Sequence, residues 1–217
     1  MKIAVVGMVE NGNIFAELDK QTLQPDMRII VIDDEPAKGI ENRRKRIAEN
    51  QSRLQALVKD IDVDLVWQVE GDCELPENAL EELYASYLEK RGKDFAYVSG
   101  IQVGRHGVYC IGAWHIAPDE LRSVQHDLRG LQEVDATGLY CLLAPKNKWL
   151  EGVASWDGEL YGPDVVWGLS IKGKKYVDMD LQIGHKVKGG VIRPSDISTC
   201  DVIYKKIDGK WHFKQLS

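Results

Sequence analysis

Two carboxylates, Glu70 and Asp72, are the side chains of this chain best placed to do chemistry. They lie one residue apart at the end of the apolar run 65–69, which is typical of a buried strand. An acid-x-acid ending places both carboxylates at the carboxyl edge of a sheet, where open α/β sheets bind ligands. Spaced carboxylates that leave water positions open suit Mg²⁺ or Mn²⁺ held together with a diphosphate. The competing interpretation is a solvated turn without function, because acidic residues are common in turns.

A second pair of acids, Asp33 and Asp34, follows the strand predicted over residues 27–32. If both strands are parallel, their carboxyl ends meet at the same edge of the sheet. One interpretation is a turn whose carboxylates cap nearby backbone. The other is a nucleotide site in which one carboxylate accepts hydrogen bonds from a ribose or a base.

The order of elements predicts what positions these acids. Strands over 3–9, 27–32 and 65–69 and from residue 96 alternate with helices around 14–18, 40–59 and 76–90, which predicts a mainly parallel sheet flanked by helices. The second half predicts a hairpin over 102–115, an interrupted strand over 133–143, a helix over 164–171, and strands over 175–180 and 201–207. No linker is visible, so we expect a single domain over residues 1–217.

Composition excludes several classes of protein. The chain has 217 residues and a net charge of −6, which argues against a general nucleic-acid-binding surface. Its four cysteines, Cys73, Cys110, Cys141 and Cys200, form no CxxC pair, so we expect reduced structural thiols and no zinc site. No signal-peptide pattern or membrane-length apolar run is present, which favours a cytoplasmic protein without a transmembrane segment.

The motifs and their order resemble the inverting, family 2-like glycosyltransferases of the GT-A fold. In that group an acidic pair ends a strand, an Arg- and Asn-bearing helix follows, and a DxD-type motif comes next. A small-residue segment, an acid that opens a helix, and a small residue before His complete the order. The matching positions here are Asp33-Asp34; Arg43, Arg46 and Asn50; Glu70-Gly71-Asp72; residues 134–138; Gly162-Pro163-Asp164; and Gly184-His185. Two positions depart from the family pattern, since Glu70 replaces the first Asp and Pro163 the usual Glu.

The resemblance implies an α/β GT-A fold, with a nucleotide-sugar-binding half over about residues 1–100 and an acceptor and metal half after it. It implies that Asp72 and His185 hold a divalent cation, and imidazole favours Mn²⁺ over Mg²⁺. Asp178 and Asp180 are competing ligands. The expected donor is a UDP- or GDP-sugar, and the expected acceptor is a glycan or another hydroxyl compound. The residues expected to bind the donor are Asp33, Asp34, Arg46, Glu70, Asp72 and Lys186.

Asp164 is the candidate general base, because an inverting transfer needs a carboxylate to take the proton of the acceptor hydroxyl. An ordinary helix start explains the same residue, since an acid there favours the helix dipole. Asp157 and Glu159 are the next candidates.

Two other classes remain open. One is a degenerate GT-A protein that binds a nucleotide or glycan without turnover. The other is a sugar-phosphate nucleotidyltransferase, which the residues after the first strand disfavour because they include no Lys or Arg.

Overall fold

The structure is a computed structural model that describes residues 1–9, 14–32, 40–92, 94–105, 109–156, 161–197 and 201–216. The strands in these ranges are β1 (Ile3–Val9), β2 (Met27–Ile32), β3 (Leu65–Glu70), β4 (Cys73–Glu74), β5 (Phe95–Ile101), β6 (Val103–Arg105), β7 (Tyr109–Ile111), β8 (Ala113–Ala117), β9 (Glu120–Ser123), β10 (Leu131–Val134), β11 (Ala136–Thr137), β12 (Cys141–Pro145), β13 (Lys174–Gln182), β14 (Gly184–Val187), β15 (Gly190–Ile192), β16 (Asp201–Ile207) and β17 (Lys210–Leu216). The helices are α1 (Ile14–Asp19), α2 (Ile40–Val58), α3 (Ala79–Lys90), α4 (Lys146–Glu151) and α5 (Pro163–Ser170), with a 3₁₀ turn over Pro194–Asp196.

A seven-stranded mixed sheet in the order β10-β13-β5-β12-β3-β1-β2 forms the centre of the molecule. β1 pairs in parallel with β2 and β3, and β13 pairs in parallel with β5. β12 runs antiparallel to both of its neighbours, and β10 is antiparallel to β13. Five of the seven strands therefore point the same way, which confirms the predicted α/β class with a mixed, mainly parallel sheet.

Helices cover both faces of this sheet. Residues of α1 and α3 pack with one set of strand side chains, and residues of α2, α4 and α5 pack with the other set. Consecutive residues of β1 point to opposite faces of the sheet. Val5 packs in the cluster with α1 and α3, and Val6 packs in the cluster with α2, α4 and α5. Strands buried on both faces need continuous apolar runs, and this explains the sequence pattern of β1 and β3.

The strand order reverses between β1 and β3. From β1 the chain passes to β2 on one side and then returns to β3 on the other side. Open α/β sheets bind ligands at such a switch point, outside the carboxyl ends of the strands. Met8 and Glu70 are paired residues at these two ends, so the geometry points to this edge as the site.

A second sheet, in the order β11-β8-β9-β16-β17, lies over α5. Its inner face contributes Trp114, Leu121 and Tyr204 to a core that also includes Val165 of α5. The second half of the chain also supplies β10, β12 and β13 to the main sheet, so both halves share one architecture.

Helical spacing predicts that Ile47, Leu54, Leu57 and Val58 form the inner apolar stripe of α2, and the structure corrects this stripe at Leu57. Leu54 and Val58 are fully buried, but Leu57 is 52% exposed. The buried side of the helix includes the polar residues Asn50 and Gln51, and Leu57 falls at its margin. The helix is amphipathic, but hydropathy alone misplaces its inner face.

Cys73, Cys110 and Cys141 are buried and form no disulfide bond with one another. Burial raises the pKa of the Cys141 thiol to about 12. Cys200 lies outside the described residues.

A buried amide pair fixes α2 against the sheet. Gln51 and Gln68 exchange hydrogen bonds of 3.0 and 2.9 Å, and the Trp149 indole nitrogen donates to Gln68 Oε1 at 2.7 Å. Both glutamines are at most 1% exposed. The network ties α2, β3 and α4 together, and α2 supplies one wall of the candidate site.

We expect Gln68→Ala to lower the free energy of unfolding by about 2–4 kcal/mol, because it opens a cavity and orphans the Gln51 amide and the Trp149 N–H. Gln125→Ala is the matched control, since Gln125 is exposed, and it should change stability by less than about 0.5 kcal/mol. Urea denaturation of both variants measures the difference. A similar small loss for both would contradict a structural role for the network.

Candidate functional site

Glu70 and Asp72 stand at the carboxyl end of β3, as predicted. Glu70 N–H donates to the Tyr140 carbonyl at 3.0 Å, and Gly71 N–H donates to the Met8 carbonyl at 3.0 Å. These bonds extend the β3 pairing past the last strand residue. The turn that carries both carboxylates is therefore held against β1 and the start of β12.

Gly71 separates the two acids because no side chain fits between them. A Cβ built on Gly71 would lie 2.5 Å from Val9 Cγ1 and 3.0 Å from Val9 Cα. Atoms at these distances overlap, so the turn must move to accommodate a methyl group.

We expect Gly71→Ala to destabilise the protein by about 1–3 kcal/mol, the usual cost of overpacking a filled site. Gly92→Ala is the matched control, because the nearest atom to its added Cβ is 4.0 Å away. Thermal unfolding of both variants tests the expectation. An unchanged melting temperature for Gly71→Ala would mean that the turn is loosely held.

The structure brings His185 to Asp72, from 113 positions away in the sequence. β14 pairs antiparallel with β4, which places His185 opposite Cys73. Lys186 N–H donates to the Asp72 carbonyl at 2.7 Å. The His185 Nε2 atom lies 3.2 Å from Asp72 Oδ2. The two residues predicted to hold a cation are thus in direct contact.

The orientation of the imidazole restricts what lies between the two side chains. His185 Nδ1 is 2.8 Å from the Val103 carbonyl, which only accepts hydrogen bonds, so Nδ1 carries a proton. Nε2 then faces the carboxylate either with a second proton, as imidazolium, or with a lone pair. A lone pair facing a carboxylate oxygen requires either a proton on the carboxyl group or a metal cation that binds both atoms. A backbone carbonyl bound to the second ring nitrogen is also the usual outer partner of metal-binding histidine.

The donor set fits a divalent ion that also takes ligands from a substrate. Two ligands at neighbouring corners of an octahedron with bonds of about 2.1 Å lie roughly 3 Å apart, close to the separation of these two atoms. The side chains of His185 and Asp72 are 11% and 36% exposed, so one side of the pair faces solvent. Within the described residues, no group of three or more His, Cys, Asp or Glu side chains is arranged to hold a metal. The remaining ligands would have to come from water or a bound molecule.

A pocket of about 200 Å³ opens beside the carboxylates. Its lining consists of Met8, Val9, Arg43, Ile47, Asn50, Glu70, Gly71 and Asp72. Three of these residues, Arg43, Ile47 and Asn50, follow helical spacing on α2. The pocket therefore has acids on one wall and a guanidinium on the other.

Arg43 is the positively charged side chain among the lining residues, whereas Arg46 was the arginine predicted to bind the donor. Arg46 lies three residues after Arg43 on α2, is half-buried and does not line this pocket. The structure thus favours Arg43 for a contact with an anionic ligand.

Asp164 lies close enough to Glu70 to act on it electrostatically. Burial raises the pKa of Glu70 to about 8, with further contributions from the negative charges of Asp72 and Asp164. Arg43 opposes the shift. Three carboxylates from β3, the following turn and α5 therefore share one electrostatic environment. Such clusters of perturbed acids are concentrated at functional sites.

The first turn of α5 presents Asp164. Gly162 precedes the helix and Pro163 begins it. A Cβ on Gly162 would overlap Asp164 Oδ1, and a Cβ on Gly138 would lie 3.6 Å from Asp164 Oδ2. Gly162 thus leaves room for this carboxylate, whereas a Cβ on Gly138 would meet the Tyr140 ring first, at 2.5 Å, and reach Asp164 only at an ordinary contact distance.

Lys186 and the glycine-rich residues after it are typical of a flexible loop, but the structure places Lys186 in a strand. It lies in β14, within a hairpin with β15, and its Nζ is 3.0 Å from Glu17 Oε1. Glu17 is only 7% exposed, and its other carboxylate oxygen accepts a hydrogen bond from Leu75 N–H at 3.2 Å. Lys186 therefore neutralises a buried acid of α1 instead of lying in a free loop.

Other candidate residues are separate from the pocket. Asp178 Oδ2 accepts a hydrogen bond from Ser86 at 3.0 Å, and Asp180 Oδ2 accepts one from Gly130 N–H at 3.0 Å. Both acids line a different groove beside α3. Asp33, Asp34, Asp157 and Glu159 lie outside the described residues.

The Val103 carbonyl and Glu17 are structural partners of the site that the sequence did not indicate. A backbone carbonyl leaves no trace in residue type, and only tertiary contact selects it. An acid in the apolar helix α1 is a weak signal, because most such acids are exposed.

The chain is similar in structure to A197 from STIV, with a TM-score of 0.59 and 15% sequence identity over 91% of this chain and 92% of A197. At this identity the likeness shows a shared mixed α/β fold alone. No protein-family model matches the sequence, and no curated protein matches it. Within the described residues, no helix has both the length and the apolar character needed to cross a membrane.

Proposed function

We propose that this protein is a metal-dependent glycosyltransferase of the GT-A type, which transfers a sugar from a nucleotide-diphosphate sugar to an acceptor hydroxyl with inversion. The observation that carries the proposal is the contact of Asp72 with His185 at the carboxyl end of β3, in the electrostatic range of Asp164. These residues match three motifs of the family in their order along the chain. Their convergence is hard to explain by stability alone, because clustered acids repel each other.

The donor diphosphate is expected to lie over the turn at residues 70–72. Asp72 and His185 would hold Mn²⁺ or Mg²⁺, and such an ion neutralises the charge on the departing nucleoside diphosphate. Arg43 faces the same pocket and supplies a fixed positive charge toward the phosphates. The apolar side chains of Met8, Val9 and Ile47 line the rest of the pocket and suit a base or ribose face.

Asp164 is the expected general base. Its carboxylate accepts the proton of the acceptor hydroxyl as that oxygen attacks the anomeric carbon. The bond from the anomeric carbon to the phosphate oxygen breaks, and its electron pair leaves with the nucleoside diphosphate.

Glu70 is expected to bind the donor by a hydrogen bond. Burial raises the pKa of Glu70 to about 8 before any cation binds, and when protonated its carboxyl can donate to a ribose or phosphate oxygen. This role differs from that of Asp72, which contacts the imidazole.

A thermal-shift screen of nucleoside diphosphates, with Mn²⁺ and with chelator, tests the proposal. A ligand present at 100 times its Kd stabilises the native state by about 2.7 kcal/mol. We expect UDP or GDP to raise the melting temperature in the presence of Mn²⁺ and to have little effect with chelator. No shift with any nucleoside diphosphate would contradict the proposal.

A further inference from the structure

The hairpin formed by β16 and β17 carries charge and apolar surface that the candidate site does not use. Its segment 205–214 contains four lysines and one aspartate, whereas the whole chain has a net charge of −6. All its residues are exposed except Trp211, which is half-buried. Lys205 Nζ pairs with Glu120 at 3.1 Å, so Lys206, Lys210 and Lys214 make the segment a positively charged region on a chain of opposite overall charge.

The hairpin extends past the sheet that supports it. β9 pairs with β16 only at residues 203–205, while β16 and β17 stay paired from Asp201 to Leu216. Within the described residues, β17 has no strand on its other side. The residues from Lys206 to Lys210 are exposed, and Lys206 N–H donates to the Asp119 carbonyl at 2.9 Å.

Apolar side chains lie among the lysines. Ile207 is 53% exposed and Phe213 is 45% exposed, which places both among the most exposed large apolar residues described. Lys206 Nζ lies 5.8 Å from the centre of the Trp211 ring. Amphipathic aromatic residues mixed with lysine are typical of segments that rest at a membrane–water interface, because their polar ends stay wet while their apolar parts enter the bilayer boundary.

We propose that the β16–β17 hairpin docks this protein onto an anionic lipid bilayer. Ile207 lies on the same face of the hairpin as Lys210 and Lys214, whereas Phe213 lies on the opposite face beside Tyr204. The lysines would contact the negative headgroups, and Ile207 would enter the boundary of the acyl chains. The net charge of the remaining chain disfavours an extended polyanion that would contact more than the hairpin. Lysines on the open strand β17 disfavour edge-to-edge pairing with a second copy. The proposal does not depend on the transferase activity.

Co-sedimentation of the full chain with lipid vesicles tests the proposal. We expect roughly 100-fold tighter binding to vesicles of 70:30 phosphatidylcholine and phosphatidylglycerol than to phosphatidylcholine alone at 0.1 M salt. Binding should be largely lost at 0.5 M salt, because salt screens exposed charges. Equal binding to both kinds of vesicle, or no binding to either, would overturn the proposal.

Two sets of variants assign the binding to the hairpin. Lys206→Glu/Lys210→Glu/Lys214→Glu should abolish the preference for anionic vesicles. The control Lys59→Glu/Lys172→Glu/Lys188→Glu changes net charge equally at exposed lysines elsewhere and should retain most of it. Ile207→Ser should weaken vesicle binding by roughly tenfold through loss of apolar contact. Melting temperatures near that of the wild type show that the variants fold.

Other occupants of the hairpin give different results. Binding to duplex DNA without binding to vesicles would assign the hairpin to nucleic acid. A dimer that the triple lysine variant disrupts, in the absence of vesicle binding, would assign it to self-association. If the hairpin variant and the control variant lost the preference for anionic vesicles equally, the net charge of the protein and not the hairpin would determine vesicle binding. Each of these three results would overturn the proposal.

Discussion

Asp164→Asn is expected to reduce turnover by roughly 10²- to 10⁴-fold while leaving donor affinity and stability nearly unchanged. The amide keeps the size of the side chain, and the N-cap position of α5 belongs to Gly162, but the amide cannot accept the proton of an attacking hydroxyl. The measurements are kcat with a competent acceptor, donor Kd and melting temperature. Release of nucleoside diphosphate by transfer to water is a usable substitute when the acceptor is unknown.

Asp127→Asn is the matched control, because Asp127 is exposed and the substitution makes the same change of charge. It should leave kcat within about twofold of the wild-type value, as surface substitutions usually perturb little. Near-normal turnover in Asp164→Asn would transfer the role of the base to Asp157 or Glu159. Loss of donor binding together with turnover would place Asp164 in the nucleotide or metal site.

Asp72→Ala is expected to weaken Mn²⁺-dependent nucleoside diphosphate binding by roughly 100-fold or more. Loss of groups that only orient metal ligands already costs about 10- to 100-fold, and Asp72 is proposed as a ligand itself. His185→Ala should have a similar effect, because the two side chains are in contact. Calorimetric titrations of nucleoside diphosphate, with Mn²⁺ and with chelator, measure the effect.

Asp178→Ala controls for the general loss of a carboxylate and tests the competing ligand. Asp178 lies in the groove beside α3, away from the proposed site. Its removal should leave Mn²⁺-dependent binding intact. Weakened binding in this variant with normal binding in Asp72→Ala would move the metal to the other groove. Equal affinity of the wild type with Mn²⁺ and with chelator would remove the metal assignment altogether.

The first half of the fold was predictable from sequence because its elements are long and regular. β1, β2 and α1 begin where the apolar pattern predicted, and α3 differs only in its first turn. Strands buried on both faces leave continuous apolar runs, which are hard to mistake at this length. The alternation with helices then determines the parallel arrangement.

The second half was less predictable because its elements are short and depend on tertiary pairing. The interrupted strand predicted over 133–143 is three strands, β10, β11 and β12, that belong to two different sheets. β12 enters the main sheet antiparallel between β5 and β3. Local sequence patterns do not specify which strands β12 pairs with or in which direction. The short helix α4 and the strands β9 and β17 were not predicted for the same reason.

The candidate site was partly predictable. The acid-x-acid ending of β3 and the acid at the start of α5 are local features, and the structure places them in one electrostatic environment. The contact of Asp72 with His185 matched the resemblance, although the small sheet that creates it was not foreseen. The strand that carries Lys186 was not predicted, because a basic, glycine-rich segment is typical of a loop and the buried partner Glu17 has no local signature.

The most direct test of the central claim is release of nucleoside diphosphate from a panel of UDP- and GDP-sugars by the purified protein. The proposed site predicts release from at least one sugar donor in the presence of Mn²⁺, almost none with chelator, and almost none for Asp72→Ala. Tight, Mn²⁺-dependent binding of a nucleotide sugar without release, with candidate acceptors present, would contradict transferase activity and would indicate a binding protein instead.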